Sequence, residues 1–339
     1  YSIEGSNPIF KDEKYHFIPL ESSSPMDLYS IRVLYLKDKD YSYKCVDCDS
    51  LQFTVAEAAQ YTEIEIINRN LKALDLEDYI PTWETPYKYF VMSSYKSWED
   101  VDSWAQEVFA LEKEPDLEVV FNEIFSGEEN TDAKINKIIN YVQDDIRYMG
   151  IESGIGSIKP FPPEQVVEQR FGDCKDKSLL LVSLLKNIGL HESYPVLVNT
   201  ITKQETDKHF PSNKLFNHCI VMFKYEGETY WVDPTMAVQG GNFKDLFTPD
   251  YGKALIIGQP GDSLVEMSPR ETKTGAHIRE EMFVSSFSQP ARLTITSNRF
   301  GFEADTRRAM FEYVSTNDLS EMVTEDLKKV FPIVTKTSD

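Results

Sequence analysis

Phe171-Gly172-Asp173-Cys174-Lys175-Asp176-Lys177 runs straight into Ser178-Leu179-Leu180-Leu181-Val182-Ser183-Leu184-Leu185-Lys186-Asn187-Ile188-Gly189, and this junction decides the reading of the chain. The apolar run predicts a core helix stopped by Gly189. Asp173 is its expected N-cap, with Asp176 three residues on closing a capping box in place of the usual Glu or Gln. That puts Cys174 at the first helical position. There its sulfur meets unpaired N–H groups and the positive end of the helix dipole, which favour the reactive thiolate, and Lys175 and Lys177 are expected to add to that field. A small buried cysteine opening a core helix is the commoner alternative, but a capped, charged, glycine-preceded start argues against full burial.

A nucleophilic thiol needs a base, and the base needs an orienting group. Of five histidines, His218 alone opens a clear strand, Asn217-His218-Cys219-Ile220-Val221-Met222-Phe223. The next strand is Glu228-Thr229-Tyr230-Trp231-Val232-Asp233, reached through Glu226-Gly227 and stopped by Pro234. With the turn centred on Glu226-Gly227, Tyr225 faces Glu228, and His218 and Asp233 become diagonal neighbours on one sheet face, roughly 7–8 Å apart along the backbone. A slip of one residue would send them to opposite faces. Cys219 then points away from His218 and is expected to pack with Val221 and Phe223. Cys174, His218 and Asp233 thus form the candidate catalytic set, His218 drawing the thiol proton and Asp233 holding the imidazole tautomer. The Cys174 backbone N–H is the natural oxyanion donor, with Tyr148 or Gln143 as the expected second.

Several motifs strengthen this reading together. Tyr141-Val142-Gln143-Asp144-Asp145-Ile146-Arg147-Tyr148, the Gly154-Ile155-Gly156 loop, Arg170 to Lys177, Asn217-His218 and Tyr230-Trp231-Val232-Asp233-Pro234 closely resemble the bacterial transglutaminase-like family, a branch of the papain-like cysteine enzyme superfamily. The resemblance covers about 131 to 235. It implies an α+β fold with an active-site helix packed on an antiparallel sheet, Cys174 as nucleophile, His218 as base and Asp233 as orienter. It also implies acyl transfer through a Cys174 thioester on a protein or peptide substrate, without cofactor or metal. Hydrolysis of a peptide or amide bond is the leading expectation. Glutamine–amine transamidation and a non-catalytic binding module are the alternatives.

Outward from this core, Ile9 to Phe90 reads as short alternating strands, for example Ser30 to Tyr35 and Thr62 to Ile67. Pro81, Pro86 and Ser93-Ser94 mark a connection. Trp98 to Trp104 reads as an acidic helix start, its two tryptophans serving as core anchors. Thr131 to Tyr148 reads as one helix capped by Thr131, with Ile135, Ile138, Ile139, Val142 and Ile146 on its apolar face. The loop Gly150 to Ser157 and an extended surface run from Lys159 to Pro163 follow. A polar linker spans 262 to 275, strands resume over Glu281 to Phe302, and an acidic helix covers Asp318 to Val330. The expected organisation is a β-rich domain over 1–97, the core over 98–261, and a linker with a β-rich and helical region over 262–339. The segment from Pro81 to Trp98 resembles the end of the β-rich domain that precedes this core in secreted or membrane-associated proteins of Bacteroidetes-like bacteria. That likeness implies an extracytoplasmic location, cell-surface, periplasmic or secreted, and a shortened N-terminal domain. The first residue, Tyr1, leads us to expect a trimmed chain whose signal peptide or anchor lies outside it.

Composition limits the partners. Across 339 residues, 35 Lys and Arg face 56 Asp and Glu, a net charge of −21 that repels phosphate backbones and anionic lipid, so nucleic acid is not an expected partner. Hydrophobic residues at 41% and aromatics at 12% are those of a folded chain, and no apolar run is long enough for a transmembrane helix. Cys45-Val46-Asp47-Cys48 lacks the second Cys pair or nearby His of a zinc site and reads as a local disulfide or two free thiols.

Overall fold

The computed structural model describes residues 14–125, 127, 130–150, 154–261 and 264–335. The β-rich expectation over 1–13, the loop residues 151–153, the first two linker residues and the last four residues lie outside the described residues. The rest is α+β, with one large antiparallel sheet, smaller sheets on either side of it in sequence, and seven α-helices among the described residues.

The N-terminal part holds β1 (Tyr15–Pro19), β2 (Met26–Leu36), β3 (Ser42–Val46), β4 (Gln52–Glu57), β5 (Tyr61–Leu71) and β6 (Tyr89–Ser93). They form two antiparallel three-stranded sheets, ordered β1-β6-β3 and β2-β5-β4. Alternation drives the packing: Ile64 and Ile66 of β5 point inward to Leu20, Phe90 and Met92, while Glu63 and Glu65 on the other face are half-buried. Cys45 and Cys48 form a disulfide at the end of β3. This part is tied to the following core by a cluster of Tyr15, Val91 and Leu215 and by a 2.7 Å bond from the Ser93 hydroxyl to the Pro211 carbonyl.

The core opens with α1 (Trp98–Phe109), capped by Ser97 with Asp100 completing a capping box, then α2 (Glu118–Ile124) and α3 (Thr131–Asn140). Next come β7 (Arg147–Tyr148), α4 (Pro163–Gln169), β8 (Phe171–Gly172) and α5 (Cys174–Asn187). The large sheet takes β9 (Ser193–Val198), β10 (His218–Tyr225), β11 (Glu228–Val232), β12 (Lys253–Ile256) and β13 (Leu264–Glu266) in the order β11-β10-β9-β12-β13. Because α5 is apolar almost all round, it is buried all round: Leu180, Leu181, Leu184 and Leu185 pack between α3, α4 and the β9–β10 face of the sheet. It ends in a Schellman motif, Leu190 N–H to Leu185 O and Gly189 N–H to Lys186 O, with Gly189 at φ 95°.

The C-terminal part pairs β14 (Gly275–Phe283) with β15 (Arg292–Phe300) and continues into α6 (Phe302–Tyr313) and α7 (Thr316–Lys328).

Three stretches depart from expectation. The span Thr131 to Tyr148 is not one helix: Asn130, not Thr131, is the cap, α3 ends at Asn140, and Tyr141–Asp145 widens into a π turn before β7. The break falls where the Lys177 ammonium, arriving from α5, takes the carbonyls of Gln143 and Ile146 at 3.1 and 2.6 Å. The run Lys159 to Pro163 is not a surface strap. Pro160 and Pro163 are buried, Phe161 donates its N–H to Asp176 Oδ1 at 2.8 Å, and Pro163 starts α4. A proline's fixed φ and missing N–H suit the first helical turn, so the same residues that forbid a helix before Pro163 begin one there. In the C-terminal part the first strand, β14, begins at Gly275 rather than Glu281, and α6 directly follows the second, β15.

Candidate active site

The α5 junction folds as its chemistry dictates. Asp173 Oδ1 accepts the N–H groups of Lys175 and Asp176, and Asp176 returns the bond by accepting the Asp173 N–H at 2.9 Å. Gly172 has to be glycine here, because a Cβ would meet the Asp176 Cβ at 2.7 Å. The Lys177 N–H goes to the Asp173 carbonyl. Asp173 therefore takes three of the first backbone donors and does not take that of Cys174, whose side chain is a free, half-buried thiol. Lys175 and Lys177 do not act alike. Lys175 Nζ pairs with Asp173 Oδ2 at 2.5 Å and interacts electrostatically with Cys174, whereas Lys177 is fully buried under α5, where burial pushes its pKa down to about 8.

Across from α5, the β10–β11 hairpin turns at Glu226 (φ 52°) and Gly227 (φ 83°), the two left-handed residues of a type I′ turn. That turn fixes Tyr225 opposite Glu228 and Val221 opposite Val232, the expected register. Continued outward, it brings His218 and Asp233 to the same face. His218 Nε2 lies 2.8 Å from Asp233 Oδ2. With Nε2 committed to the carboxylate, the other ring nitrogen, Nδ1, is left for the Cys174 thiol, which also hydrogen-bonds the imidazole.

The charges of this pair are mutually dependent. Burial lowers the His218 pKa, but hydrogen bonds to Asp233 and Cys174 and the charges on both outweigh it and push the value up to about 10. Asp233 is 2% exposed; burial raises its pKa, and its bonds to His218 and Thr235 more than reverse this, holding it below the ordinary aspartate range. Its Oδ1 accepts both the backbone N–H (2.9 Å) and the hydroxyl (2.6 Å) of Thr235. Oδ2 accepts a second hydrogen bond, from the Tyr251 hydroxyl at 2.9 Å, while the Tyr251 ring stands edge-on to the imidazole at 5.6 Å.

The structure thus brings Cys174, His218 and Asp233 together. Gln143 lies behind them rather than beside the thiol: it is buried, and its amide donates to the Asp233 carbonyl (3.0 Å) and to Gln239 Oε1 (2.8 Å). Both its N–H groups are committed, so it cannot supply the second oxyanion donor. Tyr148 sits on β7 opposite Gly172, two residues before Cys174, and is 48% exposed. Cys219 is buried as expected but in the cluster of Leu197 and Leu255 behind Cys174; Val221 and Phe223 belong to the neighbouring cluster under α5. Burial raises its thiol pKa well above the ordinary range.

Residues 120–234 match the sequence model of the transglutaminase-like superfamily, and these residues form a transglutaminase-like core within the chain. No curated protein matches the sequence significantly. A solved structure from Parabacteroides distasonis ATCC 8503, described as a candidate protease, superposes with a TM-score of 0.59 at 12% identity, covering 78% of this chain and 49% of its own. At that identity the likeness is one of fold, and the present chain spans about half the length of that protein. A candidate cysteine protease from Cytophaga hutchinsonii aligns with a TM-score of 0.29 at 13% identity over 65% of this chain and 75% of its own. A structure described as a TGase aligns at 0.24 and 13% identity over 56% and 45%.

Proposed function

We propose that this protein is a cysteine enzyme that cleaves amide bonds in protein or peptide substrates through a Cys174 thioester. The observation that carries the reading is the His218 imidazole held between the Asp233 carboxylate on one side and the Cys174 thiol on the other. Asp233 and Cys174 push the imidazole pKa up to about 10, and the mechanism starts from a ring that carries a proton on Nδ1 beside the sulfur. The sulfur attacks the scissile carbonyl carbon, and the oxyanion that forms is met by the Cys174 backbone N–H, the donor that Asp173 does not take. The C–N bond then breaks as Nδ1–H passes its proton to the leaving amine, giving an acyl-thioester and a neutral imidazole. Water attacks the thioester while giving a proton to Nδ1; the C–S bond breaks, the acid leaves, and the protonated pair is restored. Asp233 keeps Nε2–H engaged throughout, so one tautomer faces the thiol in every step.

Tyr148, on the exposed strand beside Gly172, is assigned to the cleft edge, where substrate would lie. An extracytoplasmic setting belongs to the same proposal. The Cys45–Cys48 disulfide supports it, because such bonds persist in oxidising compartments.

The experiment is product analysis on unfolded protein substrates, with and without an added primary amine. New amino termini that disappear with Cys174→Ala, in a variant that keeps the native circular dichroism, are the expected result. Amine incorporation at glutamine would replace hydrolysis by transamidation, and products that persist in Cys174→Ala would remove Cys174 from the chemistry.

A further inference from the structure

The segment after Asp233 is held in an unusual way. Val238 is a β-branched residue with φ 54°, a conformation such residues rarely adopt. Asp144 Oδ1 fixes it by accepting the Val238 N–H at 2.6 Å. The next side chain, Gln239, is 7% exposed and has every polar atom engaged: Oε1 accepts from Gln143, and Nε2 donates to the Phe247 carbonyl at 2.9 Å and to Asp305 Oδ2 at 3.4 Å. Asp305 belongs to α6, well beyond the transglutaminase-like core. It is itself 7% exposed, and its Oδ1 accepts the Gly240 N–H at 3.1 Å and pairs with Arg308. The first residue of α6, Phe302, packs its ring 4.5 Å from that of Phe247, the residue whose carbonyl Gln239 binds.

Two anchors on α6 therefore grip one loop, and a continuous hydrogen-bonded path leads inward from it: Asp305 to Gln239, Gln239 to Gln143, Gln143 to the Asp233 carbonyl. We propose that α6 is a positioning element of the site, and that Asp305 and Gln239, acting through Gln143, set the place of Asp233 and through it the orientation of His218. The links that run through the Gln143 and Gln239 amide N–H groups are strong ones because a buried donor is costly to leave unpaired, while Gln143 Oε1 itself has no hydrogen-bond partner. The inference rests on the functional reading above, in which the His218–Asp233 pair governs Cys174.

The test measures the rate of Cys174 alkylation by iodoacetamide against pH in the full chain. Native protein is compared with His218→Ala, Gln239→Met, Asp305→Ala and Asp305→Asn, and each melting temperature is recorded. Gln239→Met and Asp305→Ala should slow alkylation near pH 6 by about tenfold or more, towards the His218→Ala rate, as misplacement of a supporting group does. Asp305→Asn keeps one oxygen for the Gly240 N–H but turns its amide N–H groups toward the Gln239 Nε2 donor, so its profile should fall between those of native protein and Asp305→Ala. A purely structural role would lower the melting temperature without moving the profile. Native profiles in Gln239→Met and Asp305→Ala would overturn this inference alone. A native protein indistinguishable from His218→Ala would overturn the functional reading and this inference with it.

Discussion

Asp233→Asn removes the charge facing His218 while keeping the shape of the side chain, and the structure sets the size of the effect. An unfolded histidine titrates near 6.5, and hydrogen bonds to Asp233 and Cys174, with their charges, outweigh burial to push folded His218 up to about 10. The difference, 10 − 6.5 = 3.5, corresponds to roughly 5 kcal/mol at about 1.36 kcal/mol per pH unit. Asp233 supplies the first of the contributions that raise it and therefore a large share. The folded state holds the proton more tightly than the unfolded one. The stabilisation is thus complete below about pH 6.5 and is lost as pH rises through about 10. Urea titrations of native and Asp233→Asn protein at about pH 6 and above pH 10 give the cost of the substitution at each. That cost should be larger at the lower pH by roughly 3–5 kcal/mol, and groups common to both proteins cancel in the comparison. A cost that changes by less than about 1 kcal/mol between the two would refute the ion-pair reasoning.

Other perturbations probe the surroundings. Tyr251→Phe removes the hydroxyl that Asp233 Oδ2 accepts at 2.9 Å and leaves the ring beside His218 in place. It should cost about 1.5–3 kcal/mol in denaturant titrations at neutral pH, the range for a hydrogen bond to a charged group. Lys177 runs opposite to His218: burial lowers it to about 8, below an unfolded value near 10.4, so the folded chain binds fewer protons between these limits. The cost of burying its charge is complete below about pH 8 and is relieved towards about pH 10.4, a gain of roughly 3 kcal/mol over that window. Lys177→Met should abolish this rise, read as the difference between the stability–pH curves of the two proteins.

What the sequence disclosed was local. The capping box at Asp173 and Asp176, the stop at Gly189 and the Glu226-Gly227 turn each depend on neighbours within a few residues, and the turn alone carries His218 and Asp233 to one face. Gln143 was legible as a residue of interest but not in its role, because its partners, Asp233 and Gln239, come from a loop ninety or more positions later. Lys177 looked like a contributor to the field at Cys174. On a helix buried all round, however, its spacing puts the ammonium beneath α5, where the π turn offers carbonyls. The start of α4 did have a signal, Pro163 at a first helical turn followed by Glu164, hidden in a proline-rich run that reads as extended. Tyr251 and Asp305 had none: each acts through one tertiary hydrogen bond or a few, from segments with no periodicity or motif of their own.

The most direct test of the central claim is the rate of Cys174 alkylation by iodoacetamide against pH, with peptide mapping, in native protein and His218→Ala. If His218 serves Cys174, the native thiol reacts selectively over buried Cys219 at mildly acidic pH, and that advantage vanishes in the variant. Equal rates in the two proteins across the whole pH range would contradict it.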